Sequence, residues 1–251
     1  IRRAWDGGQH YFICNRGSQD IQQWVELACR AQAVAILDPM SGQAGLAATA
    51  GGGERRTRVY LQLPAGGSLI LRTFDSSEPG GNAWVYTKPS GEPTDIRGRW
   101  SVAFMAGGPV LPKPWETSQL MSWTKQPDPE GERFAGTARY TISFDAPGKG
   151  DRWLLDLGTV CQSARVSVNG KLLGTLVASP FQMALDGLRE KNNRLEVEVT
   201  SVAANRIRDL DRRQVPWKVF HEINFVNIRY RPFDASEWPL ADAGLLGPVR
   251  L

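Results

Sequence analysis

Short runs of alternating apolar and polar residues recur along the chain, separated by glycine, proline, asparagine and aspartate. The alternation has a period of two, as in strands that bury one face of a sheet. With 26 glycines and 16 prolines in 251 residues, turn signals come at short intervals. The pattern therefore predicts an all-β protein with little helix. The predicted strands are His10–Arg16, Gln22–Arg30, Ala33–Pro39, Thr57–Pro64, Ser68–Phe74, Gly98–Met105, Thr137–Phe144, Arg152–Gly158, Ala164–Gly170, Lys171–Val177 and Arg194–Val202.

The strongest local signal is a hairpin in the sequence RVSVNGKLLG. Val166 and Val168 point to one face of the first strand, and the second strand begins directly after Asn169-Gly170. Asparagine and glycine accept the two positive φ angles of a type I′ turn, whose twist matches that of the flanking strands. We expect this hairpin to set strand register in a scaffold.

Turn signals and composition predict two β units. Residues 1–95 are predicted to comprise a β-sandwich, incomplete at its start, and a glycine- and proline-rich linker that begins at Asp75. Residues 96–251 are predicted to form the second unit. One or two helical turns are predicted over Phe181–Lys191, where Gly187 limits the length. The stretch GPVRL at the end is predicted to be the closing strand.

Charge and cysteine content argue against several classes of function. The net charge is +4, but Lys and Arg are interleaved with Asp and Glu, which indicates a solvated mixed surface rather than a nucleic-acid partner. No apolar run reaches the about 18 residues of a membrane span. Three cysteines and two histidines lack the spacing of a zinc site, so we expect no cofactor, although a calcium ion bound by carbonyl oxygens would leave no sequence signature.

Glycoside hydrolysis needs two carboxylates about 5 to 9.5 Å apart. Acidic residues are present in NRIRDLDRR, KVFHEINF and RPFDASEWP, but Asp209 and Asp211 are flanked by arginines, which favours a surface ion-pair cluster over an active pair. No Ser-His-Asp set can be chosen without arbitrary selection. We therefore expect no catalytic residue in this chain.

Residues 205–240, hereafter the insertion, are the least sandwich-like part of the second unit. Long irregular insertions in compact domains are often functional. Carbohydrate binding needs an exposed aromatic ring and planar polar side chains. Trp115, Trp123, Trp217 and Trp238 occur in loop-like sequences, with packing as the open alternative for each, whereas Trp5, Trp24, Trp100 and Trp153 follow strand patterns that favour the core.

The second unit resembles the sugar-binding β-sandwich of family 2 glycoside hydrolases, a galactose-binding-like jelly roll. The resemblance is carried by the order of TARYTISF, WLLDLGTV, ARVSVNGKLLGT, SPF, NRLEVEVTSVAANR and GLLGPVRL. It is strongest to the C-terminal region of glycoside hydrolase family 106, the α-L-rhamnosidases. Features similar to that family are Leu120–Asp128, Phe134–Tyr140, Val168–Lys171 and Thr200–Asp209, and the segments Ile1–Arg16 and Leu37–Gly42 are similar to its preceding β-sandwich.

The resemblance implies a catalytic barrel elsewhere, because that family places its carboxylates and metal site in a (β/α)₈ barrel that this chain has no strand-helix pattern to build. The expected partners are therefore the barrel of the same polypeptide and carbohydrate. The side chains expected to face a ligand or partner belong to the insertion, and Asn205 and Arg206 are the best supported because they lie inside the family-like stretch. The full set is Asn205, Arg206, Asp209, Trp217, His221 and Arg231.

Two functions remain open from the sequence. The first is a non-catalytic accessory region of a rhamnosidase-like glycoside hydrolase, for which the start at Ile1 without methionine suggests a piece of a longer polypeptide. The alternative is an autonomous carbohydrate-binding protein. The resemblance implies a periplasmic or secreted bacterial location; the residues themselves give none.

Overall fold

The computed structural model describes residues 1–53, 56–76, 79–88, 90–148, 150, 152–219, 226, 228 and 230–251. Antiparallel strands form nearly all of its regular structure, which confirms the all-β prediction. The chain divides into two compact units, Ile1–Glu92 and Pro93–Leu251. No helix among the described residues is long and apolar enough to cross a membrane.

The first unit is built from a five-stranded and a three-stranded antiparallel sheet. The sheet orders are β1-β2-β8-β4-β5 and β3-β7-β6. Along β7 and β8 every second residue is buried, as the period-two pattern predicts. The strands are β1 Arg2–Trp5, β2 Gly8–Cys14, β3 Ile21–Leu27, β4 Ala33–Leu37, β5 Ala44–Leu46, β6 Thr49–Gly51, β7 Thr57–Leu63 and β8 Ser68–Phe74.

Aliphatic side chains from both sheets fill the first core. Val34 and Ile36 of β4 pack in one cluster with Val59 and Leu61 of β7, and all four are almost completely buried. Burying such a side chain stabilises the fold by about 1.5–3 kcal/mol each. The first unit is therefore a β-sandwich in which the strand pattern specifies the buried faces.

The second unit has a six-stranded sheet of order β10-β9-β11-β17-β14-β15. Two short strand pairs, β12–β16 and β13–β18, contribute to the same core, and single bridges of Arg250 with Asp156 and of Gly158 with Gly247 link them. The elements are β9 Trp100–Gly108, β10 Trp115–Thr117, β11 Ala135–Phe144, β12 Arg152–Asp156, β13 Thr159–Cys161, β14 Ser163–Val168, β15 Lys171–Leu176, β16 Gln182–Asp186, β17 Asn193–Thr200, the helix α1 Ala204–Arg212 and β18 Gly244–Gly247.

The second core is larger and more aromatic than the first. Trp123, in a 3₁₀ turn between β10 and β11, is fully buried, and its ring packs edge-on against Phe104 and Phe134 at centroid distances of 5.5 and 5.6 Å. Gly244 lies so close to the Tyr140 hydroxyl that a Cβ atom there would be 2.3 Å away. The start of β18 therefore requires glycine.

The predicted hairpin is confirmed. Val168 of β14 pairs with Lys171 of β15, so Asn169 and Gly170 form the two-residue turn, with φ angles of 52° and 80°. The Asn169 side chain also accepts a hydrogen bond from the backbone N–H of Arg194 at 2.9 Å. The turn is thus fastened to the neighbouring strand β17 and fixes the sheet edge.

Three expectations for the second unit are wrong. The helical turns predicted over Phe181–Lys191 are instead the strand β16, because Leu185 is buried in the core while β16 pairs along its length with β12. The closing strand is Gly244–Gly247, which shares only Gly247 with GPVRL, and after this strand Arg250 makes isolated bridges. The insertion, expected to be irregular, begins inside α1, which was not predicted because it has few apolar positions.

Candidate functional site

Several polar contacts of the insertion converge on the carboxylate of Asp211, near the end of α1. It accepts hydrogen bonds from Trp217 Nε1 at 2.7 Å and from the backbone N–H of Ala235 at 2.8 Å. Lys218 Nζ forms an ion pair with the same carboxylate at 3.0 Å. The side chain of Asp211 is only 5% exposed. One aspartate therefore joins the helix end to both described ends of the loop that follows it.

The electrostatics of Asp211 follow from these donors. Burial by itself would raise the pKa of the Asp211 carboxyl, but the Ala235 amide, the Trp217 indole and the Lys218 ammonium group together hold it below its usual value. The pKa of Asp234 is also lowered, chiefly by the backbone N–H of Ser236. Both carboxylates are therefore anionic acceptors at neutral pH.

Aromatic rings pack beside this carboxylate. Phe233 meets Trp217 edge-on at 6.1 Å and Trp238 edge-on at 5.5 Å between ring centroids. Lys218 Nζ lies 5.7 Å from the Trp217 centroid and 5.6 Å from that of Phe233, and it donates a hydrogen bond to the Phe233 carbonyl at 2.8 Å. The rings are thus held in place by one another and by a bonded ammonium group.

A groove of about 810 Å³ opens beside Asp211 and Trp217. It combines an aromatic ring with carboxylate, amide, hydroxyl and guanidinium groups, which is the mixture that small polar ligands such as sugars require. The groove is lined by Asp211, Arg212, Gln214, Val215, Pro216, Trp217, Lys218, Asp234, Ser236 and Glu237.

The candidate residues occupy different places. Trp217 lines the groove. Arg206 and Asp209 form an ion pair on α1 at 2.7 Å, and Asp209 is also 3.5 Å from Arg213. This is the arginine-flanked ion-pair cluster that the sequence favoured for Asp209 over an active carboxylate pair. Arg231 is exposed, and His221 lies outside the described residues.

Asn205 faces the backbone of Ala241 instead of a ligand groove. Its Nδ2 donates to the Ala241 carbonyl and its Oδ1 accepts from the Ala241 N–H, both at 2.8 Å, and the residue is 4% exposed. Both amide atoms are occupied, so a buried side chain whose polar groups are satisfied explains this asparagine. In this structure the side chain of Asn205 holds the two ends of the insertion together.

Sequence reasoning missed the central role of Asp211. It treated Asp211 together with Asp209 as an arginine-flanked surface cluster, whereas its charged partner is Lys218, seven residues along the chain. The arginines nearby bond elsewhere, since Arg208 Nε and Arg212 Nε donate to the carbonyls of Trp238 and Ser236. No local pattern predicts these contacts, because they depend on how the loop returns to the helix.

The tryptophans also divide differently from expectation. Trp123 is fully buried and Trp115 packs on the core, so the packing alternative holds for both, whereas Trp24, expected in the core, is 40% exposed. Among the described residues, no group of three or more His, Cys, Asp or Glu side chains is placed to hold a metal ion.

Comparison with known proteins gives two informative similarities, and no protein-family profile matches the chain. A solved rhamnosidase from Novosphingobium sp. PP1Y aligns with 99% of this chain at 26% identity and a TM-score of 0.70, over 23% of its own length. A candidate beta-glucuronidase from Formosa agariphila is 29% identical over 182 residues, which are 64% of this chain and 16% of that protein. These similarities support a glycoside hydrolase-related region. The chain spans less than a quarter of the length of either relative.

Proposed function

We propose that this chain is a non-catalytic accessory region of a larger glycoside hydrolase similar to α-L-rhamnosidases, and that a separate catalytic barrel carries out the hydrolysis. The observation behind the proposal is the rhamnosidase similarity, which extends over 99% of this chain and less than a quarter of that enzyme. We also propose a periplasmic or secreted bacterial location, which the same resemblance supports. The alternative is an autonomous carbohydrate-binding protein.

The bonding of the acidic residues supports a non-catalytic role. A general acid in a glycosidase needs a raised pKa, whereas that of Asp211 is lowered and its carboxylate already has three donors. Asp209 is engaged by two arginines. These contacts support a structural role for both aspartates.

We further propose that the second unit is a galactose-binding-like jelly roll whose groove holds a carbohydrate. The antiparallel sheet, the short strand pairs on the same core and the Trp217-lined groove support this assignment. The apolar face of a sugar ring packs well on an aromatic side chain, and the surrounding polar groups fit its hydroxyls.

A titration with rhamnose and rhamnose-bearing oligosaccharides, followed by tryptophan fluorescence, tests the groove. We expect saturable quenching that Trp217→Ala abolishes and Trp217→Phe partly keeps. Phe12→Ala, which removes an exposed ring from the first unit, is the control and leaves the quenching unchanged. Absence of any saturable change at millimolar sugar would contradict carbohydrate binding in the groove.

The accessory role is tested by activity and by the size of the natural gene product. On aryl rhamnosides and aryl glucuronides this chain is expected to give a flat time course, and hydrolysis lost in Asp211→Asn would contradict the proposal. An antibody raised against the chain should detect a natural product several times larger than 27.7 kDa. A product of about the chain's own mass that binds sugar would favour the autonomous binding protein.

A further inference from the structure

The outer face of the three-stranded sheet in the first unit carries aromatic and polar side chains in register. On β7 the intervening residues Val59, Leu61 and Leu63 are buried in the core, so their neighbours point outward. We call this outer surface the Trp24 face. Its cross-strand pairs between β3 and β7 are Gln22–Gln62, Trp24–Tyr60 and Glu26–Arg58.

The Trp24 ring is exposed and is held in a defined orientation. It meets Tyr60 edge-on at 5.6 Å, and Tyr60 meets Tyr86 edge-on at 5.3 Å. The Tyr86 hydroxyl donates to the Tyr60 carbonyl and accepts from the Ala48 N–H, both at 3.0 Å. A single exposed aromatic side chain needs no explanation, but the Trp24 ring packs on Tyr60, and Tyr60 packs on a Tyr86 ring whose hydroxyl is bonded to the backbone, so Trp24 is preorganised for contact.

Among its described side chains the Trp24 face has two arginines, Arg56 and Arg58, for the single carboxylate of Glu26, which leaves a surplus of one positive charge. Arg56 forms an ion pair with Glu26, so these two charges offset each other. The guanidinium carbon of Arg58 lies 5.7 Å from the Trp24 centroid, and among the described residues Arg58 has no ion-pair partner within 4.0 Å. A guanidinium group beside an exposed ring presents donors suited to a carboxylate.

We propose that the Trp24 face binds an acidic polysaccharide chain, with a sugar ring stacked on Trp24 and a uronate carboxylate paired with Arg58. The choice of a carbohydrate rests on the proposed function, and the acidic class follows from the charge on this face. Gln22, exposed on the same side of β3, adds an amide for the sugar hydroxyls. Gln62 has no such role, because both its amide atoms bond to the Thr87 backbone.

Calorimetric titration of the whole chain tests this proposal with three acidic probes: hexagalacturonate, hexamannuronate and a hyaluronan hexasaccharide. Fully methyl-esterified hexagalacturonate is the neutral comparator, since it keeps the sugar rings and removes the charge. We expect saturable binding of at least one acidic probe that weakens as salt is raised. If hexagalacturonate binds, its ester should bind roughly tenfold more weakly.

Matched variants then assign the site. Trp24→Ala should weaken binding by at least about tenfold, Trp24→Phe should restore most of it, and Arg58→Gln should remove the preference for acid over ester. Phe12→Ala, an equally exposed aromatic on the other sheet of the unit, should bind as the original chain does. Thermal unfolding of each variant confirms that the fold is intact.

Three results would overturn the proposal: no saturable binding of any acidic probe at millimolar concentration, equal affinity for acid and ester, or unchanged binding by Trp24→Ala. Trp217→Ala separates this site from the groove of the second unit. Binding that depends on Trp24 and not on Trp217, with no response to rhamnose, would leave the Trp24 face standing while the groove assignment fails.

Discussion

The six-stranded sheet and the insertion belong to the same unit but are held together by different interactions. In the sheet, backbone ladders align the strands, and alternate residues such as Leu195 and Val197 are buried completely. In the insertion, a few polar side chains bond to distant backbone groups, as Asn205 does to Ala241 and Asp211 to Ala235. The sheet therefore depends on apolar volume, and the insertion depends on individual polar groups.

The largest expected effect is on the sheet. Leu195→Ala removes a fully buried side chain from β17 and should lower the free energy of unfolding by about 2–5 kcal/mol. Urea denaturation of the variant and the original chain measures this loss. Leu172→Ala, at a 49% exposed position of β15, is the control and should stay within about 0.5 kcal/mol. Equal losses at the two positions would contradict the assignment of the core.

A smaller, local effect is expected in the insertion. Asp211→Ala leaves the Ala235 N–H and Trp217 Nε1 without their acceptor and should destabilise the insertion by about 1–3 kcal/mol. The ion pair with Lys218 adds little to this cost, because the Lys218 ammonium group is partly exposed. Hydrogen exchange should rise at Ala235 and leave β11 and β17 protected. Increased exchange throughout the sheet would show that the two regions unfold together.

Acid should reproduce part of this effect. Because the folded-state pKa of Asp211 lies below its ordinary value, its contribution to stability is present above that value and is lost as pH falls through the folded pKa. After correction for the intrinsic exchange rate, the protection of the Ala235 amide should therefore fall below about pH 4. Asp211→Asn should flatten this response.

The smallest effect is expected at the hairpin turn. Asn169→Ala removes the acceptor of the Arg194 N–H and places alanine at a φ of 52°, which should cost about 1–2 kcal/mol. Asn169→Gly keeps the turn geometry and should cost less. Denaturation midpoints of the two variants distinguish the contribution of conformation from that of the hydrogen bond. A larger loss for glycine than for alanine would contradict the role of the positive φ angle.

The sequence predicted the features that depend on neighbouring residues. Alternation located the main strands, and Asn169-Gly170 located the hairpin, because both follow from local geometry. The strand β16 was mistaken for helix because FQMALDG is compatible with either conformation until Leu185 is buried against the core. Trp217 was selected for its loop context, and the structure places it beside a groove.

The rest of the candidate site could not be read from the sequence because its contacts are long-range. Nothing near Asp211 indicates that its amide donor is Ala235, and the bonds of Asn205 are equally long-range, since its partner Ala241 is 36 residues away. Trp24 was expected in the core because an aromatic residue in a strand is usually buried on one face. Whether the Trp24 side chain points to the core or to the outside is decided by how β3 pairs with β7.

The paired hydrogen bonds between Asn205 and Ala241 also bear on how this chain tolerates change in length. They hold the two ends of the insertion together, between β17, which precedes the insertion, and β18, which follows it. The entropy of closing such a loop grows only logarithmically with its length, so doubling it costs about 0.6 kcal/mol. Residues can therefore be gained or lost between these ends at little thermodynamic cost while the sheets of the second unit stay unchanged.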